Sequence, residues 1–394
     1  MSAPTARDRA RAGLLILPLA LFLAVFFLWP LWMMVEVSVR NESIGHALPQ
    51  TAALIGDWDG EGLPGNDVQA ALVDDLRTTP SSVLGAAVRT LNSQVSGFRT
   101  LMSRTATAAR ELKAGATLDL VSVDPRWGEP RFWLAIRKSV SPLTDRNLLA
   151  AVDLSRDEAG QISAVSASAS ANRLIIWRTF FIAGSVTLLC ALIGLPYAIL
   201  AASVGGWRRN ALLLAVLLPL WTSLLVRTAA WFILLQNEGL INKTLIAMGL
   251  IDGPLPLIFN RVGVVIAMTH VLLPFMVLPI FSVVSAIPKN LMPAAASMGA
   301  TPLRAFWRVL LPLSMPGLLA GSLLVFMVAI GYYITPALVG GPNDQMISSI
   351  IAFYALQTAN WGMAGALGLI LLVVTTILYL VYGRLSRGGA PTGA

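Results

Sequence analysis

Residues 288–321 read PKNLMPAAASMGATPLRAFWRVLLPLSMPGLLAG and lie between two long apolar runs. Pro288 ends the run before them. Pro293 suits a first helical turn, where a missing N–H is no loss, and Ala294, Ala295 and Ala296 are strong helix formers. Gly299 reads as a helix stop, because glycine takes the left-handed conformation after a helix without steric cost. Thr301-Pro302 restarts a helix with a hydroxyl N-cap and a proline in first position. Leu303, Phe306, Trp307 and Leu310 then recur at i, i+3, i+4 and i+7 and make one apolar face. Arg304 and Arg308 stand on another, and Pro312 and Pro316 follow as the chain re-enters an apolar run. The spacing predicts a short helix, a glycine corner and a second amphipathic helix held between membrane spans. Such a knob suits docking of a soluble partner. An ordinary loop with two helical turns is the plainer alternative.

The setting is a membrane. The chain has 394 residues, of which 56% are hydrophobic and only 12% charged, with a mean hydropathy of +0.73. That is a multi-span composition. The net charge of +8 does not point to nucleic acid, because of where it sits. Residues 40–173 hold 14 Lys/Arg and 15 Asp/Glu, while the rest of the chain holds 14 and 5. The excess flanks apolar runs, as the positive-inside rule requires. One cysteine, Cys190, cannot form an internal disulfide. There is no G-x-x-x-x-G-K-[ST] loop, so the chain does not hydrolyse ATP by itself. No catalytic constellation, zinc-ligand spacing or nucleophile elbow is present either.

Six spans are expected. After Arg7, Arg9 and Arg11, residues 12–35 are uncharged, longer than the roughly 20 residues that cross a bilayer core. No small-residue cleavage site follows, so an uncleaved span with its N-terminus in the cytoplasm is preferred. Residues 40–173 are soluble in character, with helical spacing over 66–78 and 82–113 and a strand-like alternation over 118–123. They form an extracytoplasmic insertion, since long loops translocate regardless of charge. Further spans cover 179–207, interrupted by Pro196, then 210–235, 262–287, 313–338 and 363–382, with the C-terminus inside. The domain organisation is therefore a cytoplasmic N-terminus and first span (1–39), an α+β insertion (40–173), a five-helix core (174–387) and a disordered tail (388–394). The fold class is an all-α polytopic membrane protein.

Charged and polar groups within apolar runs are costly and so mark candidate function. Arg227 is the clearest. Trp231, one turn on, is placed to stack on it, and Glu238 to neutralise it. A structural ion pair or a snorkelling arginine is the plainer alternative. His270 is alone mid-span, where a satisfied interior histidine competes with a ligand or relay role. Asn242 accompanies Glu238. Tyr332 and Tyr333 lie late in the fifth span, with Asp344 and Trp361 beyond it. This aromatic and amide lining suits a weakly held organic cation in transit. An interfacial aromatic belt with turn residues is the alternative.

The 288–312 segment resembles the cytoplasmic loop of ABC importer permeases, whose pattern is Glu-Ala-Ala, three residues, Gly, and later an apolar residue with Leu-Pro. Here Ala294-Ala295, Gly299, Phe306, Val309 and Leu311-Pro312 fit, and Pro293 stands at the Glu position. Residues 237–242 (NEGLIN), 273–279 (LPFMVLP) and 336–341 (PALVGG) resemble the spermidine/putrescine-type branch. The resemblance implies a type I ABC importer fold, with a coupling loop carried by Pro293, Ala294, Ala295, Gly299, Ala300, Phe306 and Pro312. It also implies the partners: two ATPase subunits using ATP and Mg, a second related permease, a periplasmic binding protein and the bilayer. The chain itself would hold no cofactor, would be no enzyme, and would sit in a bacterial inner membrane. The cargo would be a polyamine such as spermidine or putrescine. Opine, ferric iron and sulfate permeases are near alternatives. A membrane sensor has the layout of the first two spans but lacks a cytoplasmic signalling domain after them. A secondary transporter should show internal repeats and mid-span acids, which are absent here.

Overall fold

The computed structural model describes residues 6–388 except 42, 93, 113–116, 157–160 and 167–170. It divides into two units, Met1–Asn147 and Leu148–Ala394. The first unit opens with a continuous helical rod containing the candidate span Leu15–Val39. A wide π-helical turn, Ala24–Leu28, precedes Pro30. Hydrogen bonding to the fifth residue back makes room for a ring that would otherwise clash with a carbonyl.

The rest of this unit is a helical domain. Helices Asn66–Thr78, Ser81–Asn92, Phe98–Glu111 and Pro130–Val140 enclose a core of Leu72, Leu91, Leu101, Met102, Phe132 and Ile136. Trp127 and Trp133 pack at 4.8 Å between ring centres, and each indole N–H is satisfied, one by Thr105 Oγ1 and the other by the Trp127 carbonyl, both at 2.9 Å. The domain is tied to the end of the first span by Thr144 N–H donating to the Val39 carbonyl at 2.7 Å and Asn41 N–H to that of Pro142 at 3.0 Å.

Two local expectations are corrected here. The helical run expected over 82–113 is two helices, parted at Gly97, whose φ is +105°; its last residue, Lys113, lies outside the described residues. The strand-like 118–123 is a helical turn, Leu120–Val123. Asp119 caps it by accepting from Val121 N–H at 3.1 Å, and Asp124 caps the following 3₁₀ turn Pro125–Gly128. Short acidic side chains that bond their own backbone outcompete an extended ladder. The strands that form are β1 (Leu154–Arg156) and β2 (Ile162–Ala164), an antiparallel pair in the second unit.

The second unit holds the remaining spans, Asn172–Ser203, Arg261–Ala286, Pro302–Gly331 and Trp361–Arg384, and the helix pair Gly206–Trp221 and Leu224–Leu234, bent by 100°. Counting the bent pair as one gives six spans among the described residues. Three sequence expectations shift. Pro196 does not interrupt its helix. The third span is broken, because Pro219 sits in a 3₁₀ turn and Ser223 then caps a new helix through Val226 N–H at 3.3 Å. The fifth span begins at Pro302, so the second helix of the knob is its first two turns. A second π-helical turn, Phe306–Leu310, precedes Pro312 and carries the helix through that proline.

The second, fourth and fifth spans pack around Met276, with Val186, Cys190, Leu272, Val277 and Val325. A Cβ at Gly321 would lie 2.9 Å from Met276 Sδ and 3.0 Å from its carbonyl oxygen. Small residues bring membrane helices this close. Ala151 packs with Ile347, Met363, Ala366 and Leu367, so residues 148–164 belong with the spans. Gly388 ends the last helix. The rest of the tail expected to be disordered lies outside the described residues.

Candidate functional site

Two places carry candidate residues. The first is the knob. Helix Leu291–Ser297 contains Pro293, Ala294 and Ala295. Gly299 follows Met298 with φ +83°. Gly299 N–H donates to the Ala296 carbonyl at 2.9 Å and Ala300 N–H to that of Ala295 at 3.0 Å. These two bonds make a Schellman motif, which closes the helix end and reverses the chain. Thr301 Oγ1 accepts from Arg304 N–H at 3.3 Å and caps the next helix. Ala295 and Ala305 are buried where the two short helices meet, while Met298, Leu303 and Trp307 are 83%, 68% and 59% exposed. The face read as amphipathic therefore points outward. Phe306 turns the other way and, with Leu195, Pro196, Ile199, Leu200 and Ser203, lines an open hollow of 470 Å³. Pro312 is exposed at the start of the longer helix. What the knob presents is an apolar patch beside the exposed cations Lys289, Arg304 and Arg308, with no acidic group among residues 288–312.

The second place is a polar cluster among the spans. Trp231 donates its indole N–H to His270 Nδ1 at 3.1 Å, with the rings edge to face at 5.4 Å. A nitrogen that accepts carries no proton, so in this arrangement the ring proton is on Nε2. Arg227 lies one turn before Trp231 on the same helix. Next to it, Thr228 Oγ1 and Thr335 Oγ1 share a hydrogen bond of 3.1 Å in the interior. Trp231 and His270 are thus brought together, one helical turn from Arg227.

The other candidates are engaged elsewhere. Glu238 does not neutralise Arg227; it is exposed, with Lys243 Nζ at 3.9 Å. Asn242 is buried and clamps a loop, donating to the Gln236 and Leu255 carbonyls at 3.2 and 3.0 Å and accepting from Leu255 N–H at 2.9 Å. Asp344 is buried against Arg261 Nε at 3.3 Å, with Arg178 close enough to feel both charges. Tyr332 and Tyr333 are not inside the fifth span but in the break after it, where Ser348 and Ser349 hydroxyls bind their carbonyls at 2.7 and 3.2 Å. Tyr333 and Trp361 are exposed. Sequence reasoning missed Thr228 and Arg178. A hydroxyl in an apolar run can always bond its own helix, so Thr228 gave no signal. Arg178 lies at a span end, where basic residues are ordinary.

Residues 194–388 match the family model described as "Binding-protein-dependent transport system inner membrane component". Among curated relatives, the spermidine/putrescine transport system permease protein PotB of Haemophilus influenzae is 34% identical over 54% of this chain and 74% of its own length. The protein of the same name from Escherichia coli K12 is 33% identical over 59% of this chain and 88% of its own. Among solved structures, a chain of a bacterial alginate ABC transporter in complex with an alginate-bound periplasmic protein aligns at a TM-score of 0.47. It has 20% identity over 57% of this chain and 81% of that one.

Proposed function

The chain belongs to the family of binding-protein-dependent transport system inner membrane components, and from that premise we propose that it carries a polyamine into the cytoplasm by alternating access. It is a multi-pass permease subunit of the inner membrane. In our reading a liganded periplasmic protein docks outside, and two ATPase subunits bind ATP with Mg and close inside. A second, related permease completes the path. Both termini are cytoplasmic and the insertion faces outward. What supports spermidine or putrescine as the cargo is the name of the relatives.

One observation carries the assignment of the coupling element: a Schellman corner at Gly299 that presents Met298, Leu303 and Trp307 to the outside. A buried apolar patch is the ordinary core of a protein interface, and a rigid corner transmits motion where a floppy loop would absorb it. The helix from Pro302 runs without interruption into the fifth span, so displacement of the knob moves a span directly. The experiment is uptake of labelled spermidine by cells expressing Gly299→Val. Loss of uptake with normal membrane insertion is expected. Uptake at the wild-type rate would remove the knob from the mechanism. A competition series of putrescine, spermidine, an opine and sulfate tests the cargo separately.

A further inference from the structure

Among the described residues, Arg227 is the charged side chain deep in the spans that the transport reading leaves unexplained. Its Nε and Nη1 atoms are buried and have no hydrogen-bond partner. The residue is half-buried, and these two nitrogens are covered by protein. Among the described residues of its unit the carboxylates are Asp153, Glu238, Asp252 and Asp344. Asp153 accepts from the Asn172 and Arg173 backbone N–H groups. Glu238 faces Lys243, and Asp344 faces Arg261. Asp252 is exposed in the loop after the short helix Leu240–Ala247. None forms an ion pair with Arg227. His270 accepts from Trp231, which stands one turn after Arg227 on the same helix.

A guanidinium buried without a counter-charge is costly enough that proteins pair it or leave it out. Its planar fork matches a carboxylate bidentately. The cargo proposed above is a polycation and brings no anion. The helix bearing Arg227 is poorly covered within its own chain: Leu225, Val226 and Ile233 are each more than half exposed, and of its residues only Thr228 is buried.

We propose that Arg227 receives a carboxylate from the second permease subunit, so that the pair forms a buried ion bridge across the interface between the two. This rests on the paired-permease reading and sharpens it. The path is then unequal, with this chain giving the cation and its partner the anion.

The test is affinity purification of the tagged full-length chain from detergent-solubilised native membranes, with co-purifying subunits quantified by mass spectrometry. Wild type is compared with Arg227→Lys, Arg227→Met and Arg227→Glu, each checked for insertion and monodispersity. Recovery of the second permease relative to the chain should fall at least tenfold in Arg227→Met and Arg227→Glu, and by less in Arg227→Lys, which keeps the charge but not the fork. Revertants of Arg227→Glu selected for spermidine uptake should map to an Asp or Glu of the partner changed to Lys or Arg. Undiminished recovery of the second permease in all variants, with uptake lost, would assign Arg227 to the cargo and overturn the bridge. A wild-type chain that brings down an ATPase but only copies of itself would overturn the paired-permease premise, and the bridge with it.

Discussion

At the scale of single residues, backbone conformation and charge pairing decide what can be changed. Gly299 has open space where a Cβ would go, yet its φ is +83°. The penalty for a side chain there is conformational, about 1–2 kcal/mol for an ordinary residue and more for a β-branched one. Asparagine tolerates this region, so Gly299→Asn should keep spermidine uptake within a few-fold while Gly299→Val loses it. Asp124 gives a second prediction. Hydrogen bonds from the Arg126 guanidinium, at 2.7 and 2.9 Å, outweigh burial and lower its pKa from the usual 3.8 to about 2. A carboxylate with a depressed folded pKa stabilises the fold above its unfolded pKa, and that contribution disappears as pH falls from 3.8 to about 2. Pulsed hydrogen exchange of the full chain in detergent should therefore show protection of helices Phe98–Glu111 and Pro130–Val140 weakening over that window. At a pH above that window, Asp124→Asn should be less protected than wild type, and it should lose the step. The left-handed Gly299 was legible in sequence, because glycine after an alanine-rich turn has few other uses. The orphan state of Arg227 was not, because Glu238 stood nearby in sequence and only three-dimensional placement turned it to Lys243.

Among elements, the periodicity of apolar runs located every span but not how each is broken. Hydropathy reports length, and prolines only hint at breaks. Pro30 and Pro312 each follow a π-helical turn that accommodates the ring, and Pro196, Pro274 and Pro279 lie inside unbroken helices. The break that does occur, at Trp221–Leu224, comes from a proline just upstream together with a Thr-Ser pair able to cap a new helix. That combination is readable in retrospect. Packing of the second, fourth and fifth spans depends on glycine at the contact. Gly321→Val should force Met276 and its backbone apart at a cost of about 1–3 kcal/mol and lower the thermal midpoint of the complex in detergent. Gly184→Ala, where an added Cβ meets nothing within 4 Å, should leave the midpoint unchanged. Equal midpoints in the two variants would remove the close contact from the packing.

For the whole molecule, composition and charge distribution pointed to a membrane protein with a long polar, charge-balanced stretch after the first span. The knob between the fourth and fifth spans pointed to the transporter family. The insertion is a well-packed helical domain with a two-tryptophan centre. Its core was legible from helical spacing, while its job has no counterpart in the segment 194–388 that matches the family. The functional claim for the molecule as a whole is that the loop through Met298 touches the ATPase. Met298 is 83% exposed at the corner, and the native Cys190 is buried, so a thiol introduced at Met298 is a selective handle. The decisive measurement is thiol-directed cross-linking of Met298→Cys in native membranes, with mass spectrometry of the product and Leu255→Cys in the outer connection as control. A cross-link to an ATPase subunit whose yield changes on adding ATP, formed by the Met298→Cys variant and not by the control, is the expected result. A Met298→Cys variant whose thiol reacts freely with soluble reagents yet never captures an ATPase, with or without nucleotide, would contradict the account.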